Sequence, residues 1–116
     1  MSAPLVLSID RPSPDDAVVT LGLPENHPAF AGHFPDQPVL PGVVQTHWAI
    51  RLGDELLGTG CAAALAFKVK FRRVIQPGEG LELRLHHDRT KHFLTFEYRQ
   101  QGEVASTGRI KLEVAL

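Results

Sequence analysis

The stretch from residue 32 to residue 49 reads GHFPDQPVLPGVVQTHWA and joins a loop to a helix. Five of the nine prolines lie between residues 24 and 41. Because proline fixes φ and removes a backbone donor, this segment is predicted to be a stiff, irregular loop. A helix is predicted to begin at Pro41 and to stop at Gly58. Its apolar residues are nearly continuous from Val43 to Ile50, which predicts that the helix is covered on most sides.

The segments on both sides of this helix have the alternating pattern of β-strands. Phe67, Val69 and Phe71 alternate with lysine and arginine, and Gln101-Gly102 marks a hairpin. Six strands are predicted, over residues 4–9, 17–21, 61–75, 81–85, 93–98 and 104–114. This order predicts an α+β fold, with an antiparallel sheet wrapped around one long central helix, and places residues 1–116 in a single domain.

Composition excludes several function classes. The net charge of −1 provides no basic field for nucleic acid, and no run of apolar residues is long enough to cross a membrane. The single cysteine, Cys61, excludes an intrachain disulfide and a CxxC site. The first residues lack the features of a signal peptide, so a cytoplasmic protein is expected. No metal site is expected at His86, His87 and His92, since neighbouring strand residues point to opposite faces.

Two motifs resemble those of a known family. Residues 26–35, NHPAFAGHFP, and residues 38–43, PVLPGV, resemble the hot-dog-fold β-hydroxyacyl-ACP dehydratases of the FabZ and FabA type. Residues 69–73 with 77–79 resemble that family's third strand and turn, and residues 101–112 its closing hairpin. The specific part is GHFP-x-x-P-x-x-PG. Within the superfamily, LPGVVQxHWA is most similar to the dehydratase branch associated with aryl-polyene biosynthesis.

The resemblance implies a hot-dog fold and an active site between two subunits, in a homodimer or a heterodimer with a related hot-dog subunit. Family members dehydrate a (3R)-3-hydroxyacyl thioester on acyl carrier protein to the trans-2-enoyl thioester, in fatty-acid-like or polyene biosynthesis. No metal or redox cofactor is implied, because the carrier's phosphopantetheine brings the substrate. The resemblance assigns His33 as the acid/base group, facing the helix of the other subunit, and Gly42 as the carbonyl-binding glycine.

The chemistry of these residue types fits those roles. Removing a proton next to a thioester needs a base that is largely neutral near pH 7, as imidazole is, although a loop histidine such as His33 can also simply bond a backbone carbonyl. The first N–H groups of a helix have no intrahelical partner, so Gly42 can donate to a developing enolate oxygen. One such donor contributes roughly 3–4 kcal/mol. Its alternative role is that of a small residue at a crowded helix start.

His47 departs from the family pattern, in which a carboxylate lies six residues after the proline of PG. Asp54 lies seven residues further on, roughly 10 Å along a helix, too far to replace it. Three hypotheses stay open. His47 protonates the leaving hydroxyl while His33 takes the α-proton, or His47 orients the hydroxyl while His33 makes both transfers, or the site is inactive and the chain only binds. When two imidazoles lie close together, a charge on one disfavours protonation of the other, so that one can be charged while the other is neutral. This favours the first hypothesis.

The remaining site residues are expected around these groups. The acyl chain is expected to contact Phe30, Phe34, Pro41, Val43 and Trp48. Trp48 is bulky enough to shorten the acyl tunnel. Carrier-protein docking is expected at Lys70, Arg72 and Arg73, which form one cationic cluster with Lys68, although a solvated strand face explains the same cluster.

Two other functions are compatible with parts of this sequence. A hot-dog thioesterase usually needs a carboxylate to activate water, and none lies at the expected helix position. A non-catalytic hot-dog subunit that binds acyl-ACP or pairs with an active dehydratase is the other alternative, against which the intact GHFP motif argues. His27 and Asp36 are expected at the loop surface.

Overall fold

The computed structural model describes residues 2–30, 38–60 and 64–112, without the side chains of residues 64–67. Six antiparallel strands form one sheet in the order β1-β2-β4-β5-β6-β3, so β1 and β3 are its edges. The strands are β1 (Leu5–Ser13), β2 (Asp16–Leu23), β3 (Ala64–Phe71), β4 (Gly78–Asp88), β5 (Phe93–Gln100) and β6 (Glu103–Leu112). A 3-10 turn covers Pro28–Phe30, and the helix α1 covers Gly42–Leu57.

The core lies between α1 and one face of the sheet, here called the inner face. Alternate residues of β2, β4 and β5 are buried, as expected where every second side chain points to the same side. Trp48, Ala49 and Leu52 of α1 join them in one apolar cluster. This arrangement confirms the predicted α+β hot-dog fold.

The ends of α1 agree with the sequence to within one residue. Pro41 is extended, with φ −61° and ψ 145°, and caps the helix instead of opening it. Its carbonyl accepts hydrogen bonds from the N–H groups of Val44 and Gln45, both at 3.1 Å. Gly58, at φ 63°, adopts the left-handed conformation and ends the helix as predicted.

The prediction that α1 is covered on most sides holds except along one stripe. Eight of its 16 residues are buried. Val43, however, is 65% exposed, and His47 and Arg51 are exposed as well. These three residues are spaced by four, so they form one stripe along the helix. This stripe, called the open face below, is left without cover in the single chain.

The bounds of all six strands differ from those expected, and three of the differences are informative. β1 continues through Arg11-Pro12 to Ser13, because an edge strand tolerates proline and its register shifts twice, between Val6 and Ser8 and between Asp10 and Ser13. β3 stops at Phe71, where the next two N–H groups, of Arg72 and Arg73, both bond the Ala105 carbonyl and interrupt the alternation. β4 already starts at Gly78, inside the predicted turn.

Candidate functional site

The start of α1 is fixed by a buried hydrogen-bond network. The Leu40 N–H donates to the Ile75 carbonyl at 2.7 Å, and the Gln45 side-chain amide donates to the Leu40 carbonyl at 3.0 Å. The Ser106 hydroxyl donates to Gln45 Oε1, and the Tyr98 hydroxyl to the Gln45 carbonyl, both at 2.7 Å. Burial raises the pKa of Tyr98 well above its ordinary value. The network joins the helix to β5 and β6.

This network was not predicted, although one signal was available. Gln45 lies within an otherwise mostly apolar run, and the structure buries it to 2% exposure. A buried amide needs hydrogen-bond partners, so its position indicates polar groups opposite. Which groups these are depends on contacts 53 and 61 residues away.

Gly42 lies beside a cavity of about 340 Å³ at the helix start. Arg72, Arg73, Phe71 and Val74 line its other side, with Val39, Leu40, Pro41 and Gln45. A methyl group on Gly42 would lie 2.6 Å from Cζ of Phe71, so only glycine fits under that ring as it stands. Among the described residues the Gly42 N–H has no hydrogen-bond acceptor. The helix start therefore presents a backbone donor at the edge of an apolar cavity.

His47 lies on the open face and outside that cavity. It lies five positions after Gly42, which corresponds to about 140° around the helix axis and about 7.5 Å along it. Val43 and Arg51 are its neighbours on the same face, one turn away on either side, and Arg51 pairs with Glu55 at 3.1 Å. The single chain thus does not bring His47 and Gly42 into one pocket.

Two expected site residues, His33 and Phe34, lie outside the described residues, as does Asp36. Of the other expected substrate-binding residues, Phe30 is a buried core residue and Pro41 is half-buried. Val43 is exposed on the open face. Their contacts with an acyl chain stay predictions.

Trp48 is fully buried in the single chain. Its indole N–H donates to the Ser2 carbonyl at 2.8 Å. The ring of His27 meets it edge-on, with 5.4 Å between ring centres. The role of Trp48 in shaping an acyl tunnel stays a prediction.

His27 is buried, so its expected position at the loop surface is wrong. Its Nδ1 accepts the Ala29 N–H at 3.0 Å, and this bond sits inside the 3-10 turn that leads toward residue 33. The physical reason is the contact with Trp48, which comes 21 positions later in the chain and pulls the ring into the core.

The three residues expected to dock a carrier protein lie on two surfaces. Arg72 and Arg73 line the cavity at the helix start, and Arg73 pairs with Glu103 at 2.9 Å. Lys70 is exposed on the outer face of the sheet, away from α1, because strand residues alternate. Lys68 points the same way and lies opposite Arg109 of β6.

Within the described ranges no three histidine, cysteine or carboxylate side chains come together as a metal site. His86 instead bonds Asp16 at 2.8 Å on the outer face. Hydrogen bonds from Ser13 and then from His86 lower the pKa of the Asp16 carboxyl. The described residues also contain no helix that is long and apolar enough to cross a membrane.

Comparison with known proteins gives consistent matches over most of the chain. The model of the ApeI-like family, described as ApeI dehydratase, matches residues 10–109. A chain of the dehydratase heterocomplex ApeI:P from Xenorhabdus doucetiae is 36% identical, with a TM-score of 0.87, covering 96% of this chain and 98% of that one. Thioesterase superfamily member 2 from Mus musculus shares the fold alone, at 12% identity and a TM-score of 0.67 over 89% of this chain and 77% of that one.

Curated relatives include two FabZ-type 3-hydroxyacyl-[acyl-carrier-protein] dehydratases. The protein from Acetivibrio thermocellus is 32% identical over 109 residues, covering 74% of this chain and 66% of that protein. The protein from Natranaerobius thermophilus is 36% identical over 73 residues, covering 57% and 51%. The chain thus spans about half to two thirds of the length of these relatives. The family match over residues 10–109 and the near-complete overlap with the ApeI:P chain establish that this chain belongs to the ApeI-like dehydratase family of hot-dog proteins.

Proposed function

We propose that the chain dehydrates a (3R)-3-hydroxyacyl thioester, carried on acyl carrier protein, to the trans-2-enoyl thioester and water. Membership of the ApeI-like dehydratase family is the observation that carries this proposal. The Gly42 N–H, which has no acceptor among the described residues and lies beside an apolar cavity, supports it, since a hydrogen-bond donor at the thioester oxygen stabilises the enolate.

The proposed reaction assigns one task to each group. Neutral His33 removes the proton from the α-carbon, and the electron pair moves toward the thioester carbonyl, whose oxygen Gly42 N–H stabilises. The carbon–oxygen bond at the β-carbon then breaks, the double bond forms, and the hydroxyl leaves as water with a proton from His47. An imidazolium can supply this proton near neutral pH, where a histidine exists in both forms.

The proposed site needs a second hot-dog subunit. Val43, Phe71 and Val74 are 65%, 55% and 63% exposed around the helix start, which is unfavourable in water and indicates a surface that a partner covers. His47 lies on the adjoining open face, so the same partner would bring its own loop to His47. Similarity to a chain of the ApeI:P heterocomplex supports a related subunit as that partner, and a second copy is the alternative.

The partner is testable by native mass spectrometry. We expect the purified chain to form a dimer, alone or with a co-expressed ApeI-like subunit, and Val43→Asp to dissociate it. Leu7→Asp, at an exposed residue of β1 on the other sheet edge, is the matched control and should leave the dimer intact. A wild-type chain that stays monomeric both alone and with the co-expressed subunit would contradict a site shared between two subunits.

Acyl carrier protein is the proposed substrate carrier, and it would dock at Arg72 and Arg73 beside the cavity. Contacts between exposed charges are weakened by salt. We therefore expect Arg72→Glu to raise KM for the acyl carrier protein substrate and to remove most of its salt dependence. KM for a short pantetheine thioester should stay constant. Lys91→Glu, in the turn between β4 and β5, is the charge-matched control, and equal effects of both variants would refute docking at this surface.

The deciding experiment incubates the dimer with a 3-hydroxyacyl-ACP and follows the enoyl product by absorbance and mass. We expect turnover by the wild type, none by His33→Ala, and a steep loss in His47→Ala. His47→Glu, which restores the usual carboxylate, should retain activity.

A non-catalytic subunit is the second candidate, and the histidine at position 47 favours it because that position carries a carboxylate in the family pattern. Activity that appears only in His47→Glu would establish this second function and exclude the first.

A further inference from the structure

Gln45 is a buried amide at the start of a largely apolar helix. It is 2% exposed, and its helical neighbours Val44, Trp48 and Ala49 are buried apolar residues. Its side chain donates to the Leu40 carbonyl at 3.0 Å and accepts from the Ser106 hydroxyl at 2.7 Å. Both ends of the amide therefore have partners.

Stability alone does not explain an amide at this position. Burying a polar group costs free energy that its hydrogen bonds largely return, so an apolar residue of similar size would serve a core about equally well. A fully bonded amide does fix the positions of the groups that it binds, since hydrogen bonds require particular distances and angles. The Gln45 amide therefore holds one backbone group in place.

That group is the peptide of Leu40, two residues before Gly42. Pro41 has no N–H, so the chain entering the helix is held through Leu40, whose N–H donates to the Ile75 carbonyl at 2.7 Å. Its carbonyl accepts from Gln45, and the Gln45 carbonyl accepts from Tyr98 in β5 at 2.7 Å. The approach to Gly42 is thus tied to the rest of the core on both sides.

We propose that Gln45 is a positioning residue for the reaction: by binding the Leu40 carbonyl it fixes the Leu40–Pro41 peptide, directly before the Pro41–Gly42 peptide that carries the Gly42 N–H. This inference rests on the proposed dehydration, in which that N–H stabilises the enolate oxygen. A preorganised donor contributes only when its direction is already set, and a shift of about 1 Å at a reacting group costs about a hundredfold in rate. Gln45 itself touches neither the substrate nor the reacting atoms.

A set of variants separates positioning from stability. Gln45→Leu removes the amide and leaves both the Ser106 hydroxyl and the Leu40 carbonyl without this partner, so Tm should fall. The double variant Gln45→Leu, Ser106→Ala also removes the hydroxyl and should recover part of the loss, because one of the two unpaired groups is gone. Leu85→Val, a buried β4 residue, is the control for lost stability.

We expect kcat to fall at least about tenfold in both Gln45 variants, with KM within about twofold, because the lost interaction acts in the transition state. Leu85→Val should keep its kcat. If kcat recovers together with Tm in the double variant, or if Leu85→Val loses as much kcat for the same loss of Tm, Gln45 is merely structural and the proposal is wrong.

Amide hydrogen exchange tests the same inference without turnover. In both Gln45 variants the backbone N–H groups of Leu40, Val44 and the substituted position 45 should exchange at least about tenfold faster, because local opening of this turn becomes easier. Leu85→Val should leave them protected. Unchanged protection overturns the role of Gln45 whether or not the wild type is active, whereas an inactive wild type with this loss of protection refutes only the dehydration.

Discussion

Gly42 combines two demands on a single position. Its missing side chain leaves room for the Phe71 ring, and its backbone lines the cavity that we propose a thioester carbonyl enters. Any larger residue must displace the ring. Because Phe71 is 55% exposed, the ring can move outward at little cost to the fold.

We expect Gly42→Ala to fold, with a change in the free energy of unfolding of at most about 1 kcal/mol, since the clash falls on a surface ring. Turnover should fall about a hundredfold, because the methyl group fills the space next to the donor. Urea unfolding and the enoyl assay measure the two effects. Phe71→Leu is the control for a lost ring contact, and a Gly42→Ala variant with wild-type turnover would contradict the role of this N–H.

Gly108 in β6 is crowded in a different way. A methyl group there would overlap the ring of Phe96, which is buried and cannot move outward. We expect Gly108→Ala to destabilise the chain by about 1–3 kcal/mol, the usual cost of overpacking a core. In urea unfolding, the double variant with Phe96→Leu should recover part of the lost free energy of unfolding. A Gly108→Ala variant as stable as the wild type would show that the Phe96 ring can shift to accommodate the methyl group.

At the residue scale, the sequence indicates which residues are candidates for the site, but not which side chains they contact. The PG motif identifies Gly42, but nothing near it indicates that Phe71 covers it 29 positions later. Likewise, the hydrogen bonds of Gln45 reach Tyr98 and Ser106 across 53 and 61 residues. Such pairs are set by strand register, which local patterns do not contain.

At the scale of elements, alternation predicts the six strands but not where they end, whereas proline and glycine predict both ends of the helix to within one residue. The exact length of β1 depends on two register shifts, and the end of β3 depends on a carbonyl of β6. The burial of His27 likewise depends on packing between a loop and α1. Each of these features arises from contacts between elements, so no single segment encodes them.

The turn between β1 and β2 is held by a charged group. The Asp16 carboxylate accepts from Ser13 at 2.6 Å and from His86 at 2.8 Å, and both bonds lower its pKa below 3.8. A carboxyl whose pKa is lower in the folded state than in the unfolded state stabilises the fold at pH values above its unfolded-state pKa. This contribution is lost as the pH falls through its folded-state pKa.

We therefore expect Asp16→Asn to be less stable than the wild type at pH 7, by at most about 1 kcal/mol because the group is exposed. The difference should shrink below pH 3.8. Urea unfolding at several pH values measures it, with Asp10→Asn in β1 as the matched control. A difference that stays constant down to acid pH would contradict the role of the carboxylate.

At the scale of the molecule, the fold class follows from the order of patterns, but the open face of α1 does not. An apolar run indicates that a helix is covered without indicating by what. Here the sheet covers one side, while Val43 and His47 face outward. The face at which we propose a second subunit is therefore the one that a single sequence describes least.

Tyr98 is the only tyrosine of the chain, and it is completely buried. Its pKa lies well above 10.0, so its hydroxyl stays protonated in the folded state while the unfolded chain ionises near pH 10. The contribution of protonated Tyr98 to the free energy of unfolding is fully present below pH 10. It is lost as the pH rises through the pKa of Tyr98 in the folded state.

We expect no tyrosinate absorbance from the native protein at about pH 11, and a full signal once urea unfolds it. Tyr98→Phe should cost about 1 kcal/mol at pH 8 through the lost hydrogen bond to Gln45. Above pH 10, the gap between the two proteins should close. Ionisation of native Tyr98 near pH 10 would show that water reaches this hydroxyl.

The strand order also governs how the chain folds as it leaves the ribosome. β3 is synthesised before β4, β5 and β6, yet within the described sheet its only partner is β6. Until residues 103–112 have emerged, the β3 edge and Phe71 beside Gly42 have no strand to pair with, which exposes apolar surface in the nascent chain. The sheet is therefore completed only when its last strand becomes available: ribosomes stalled before residue 103 should hold a protease-sensitive chain, and the released chain should be resistant.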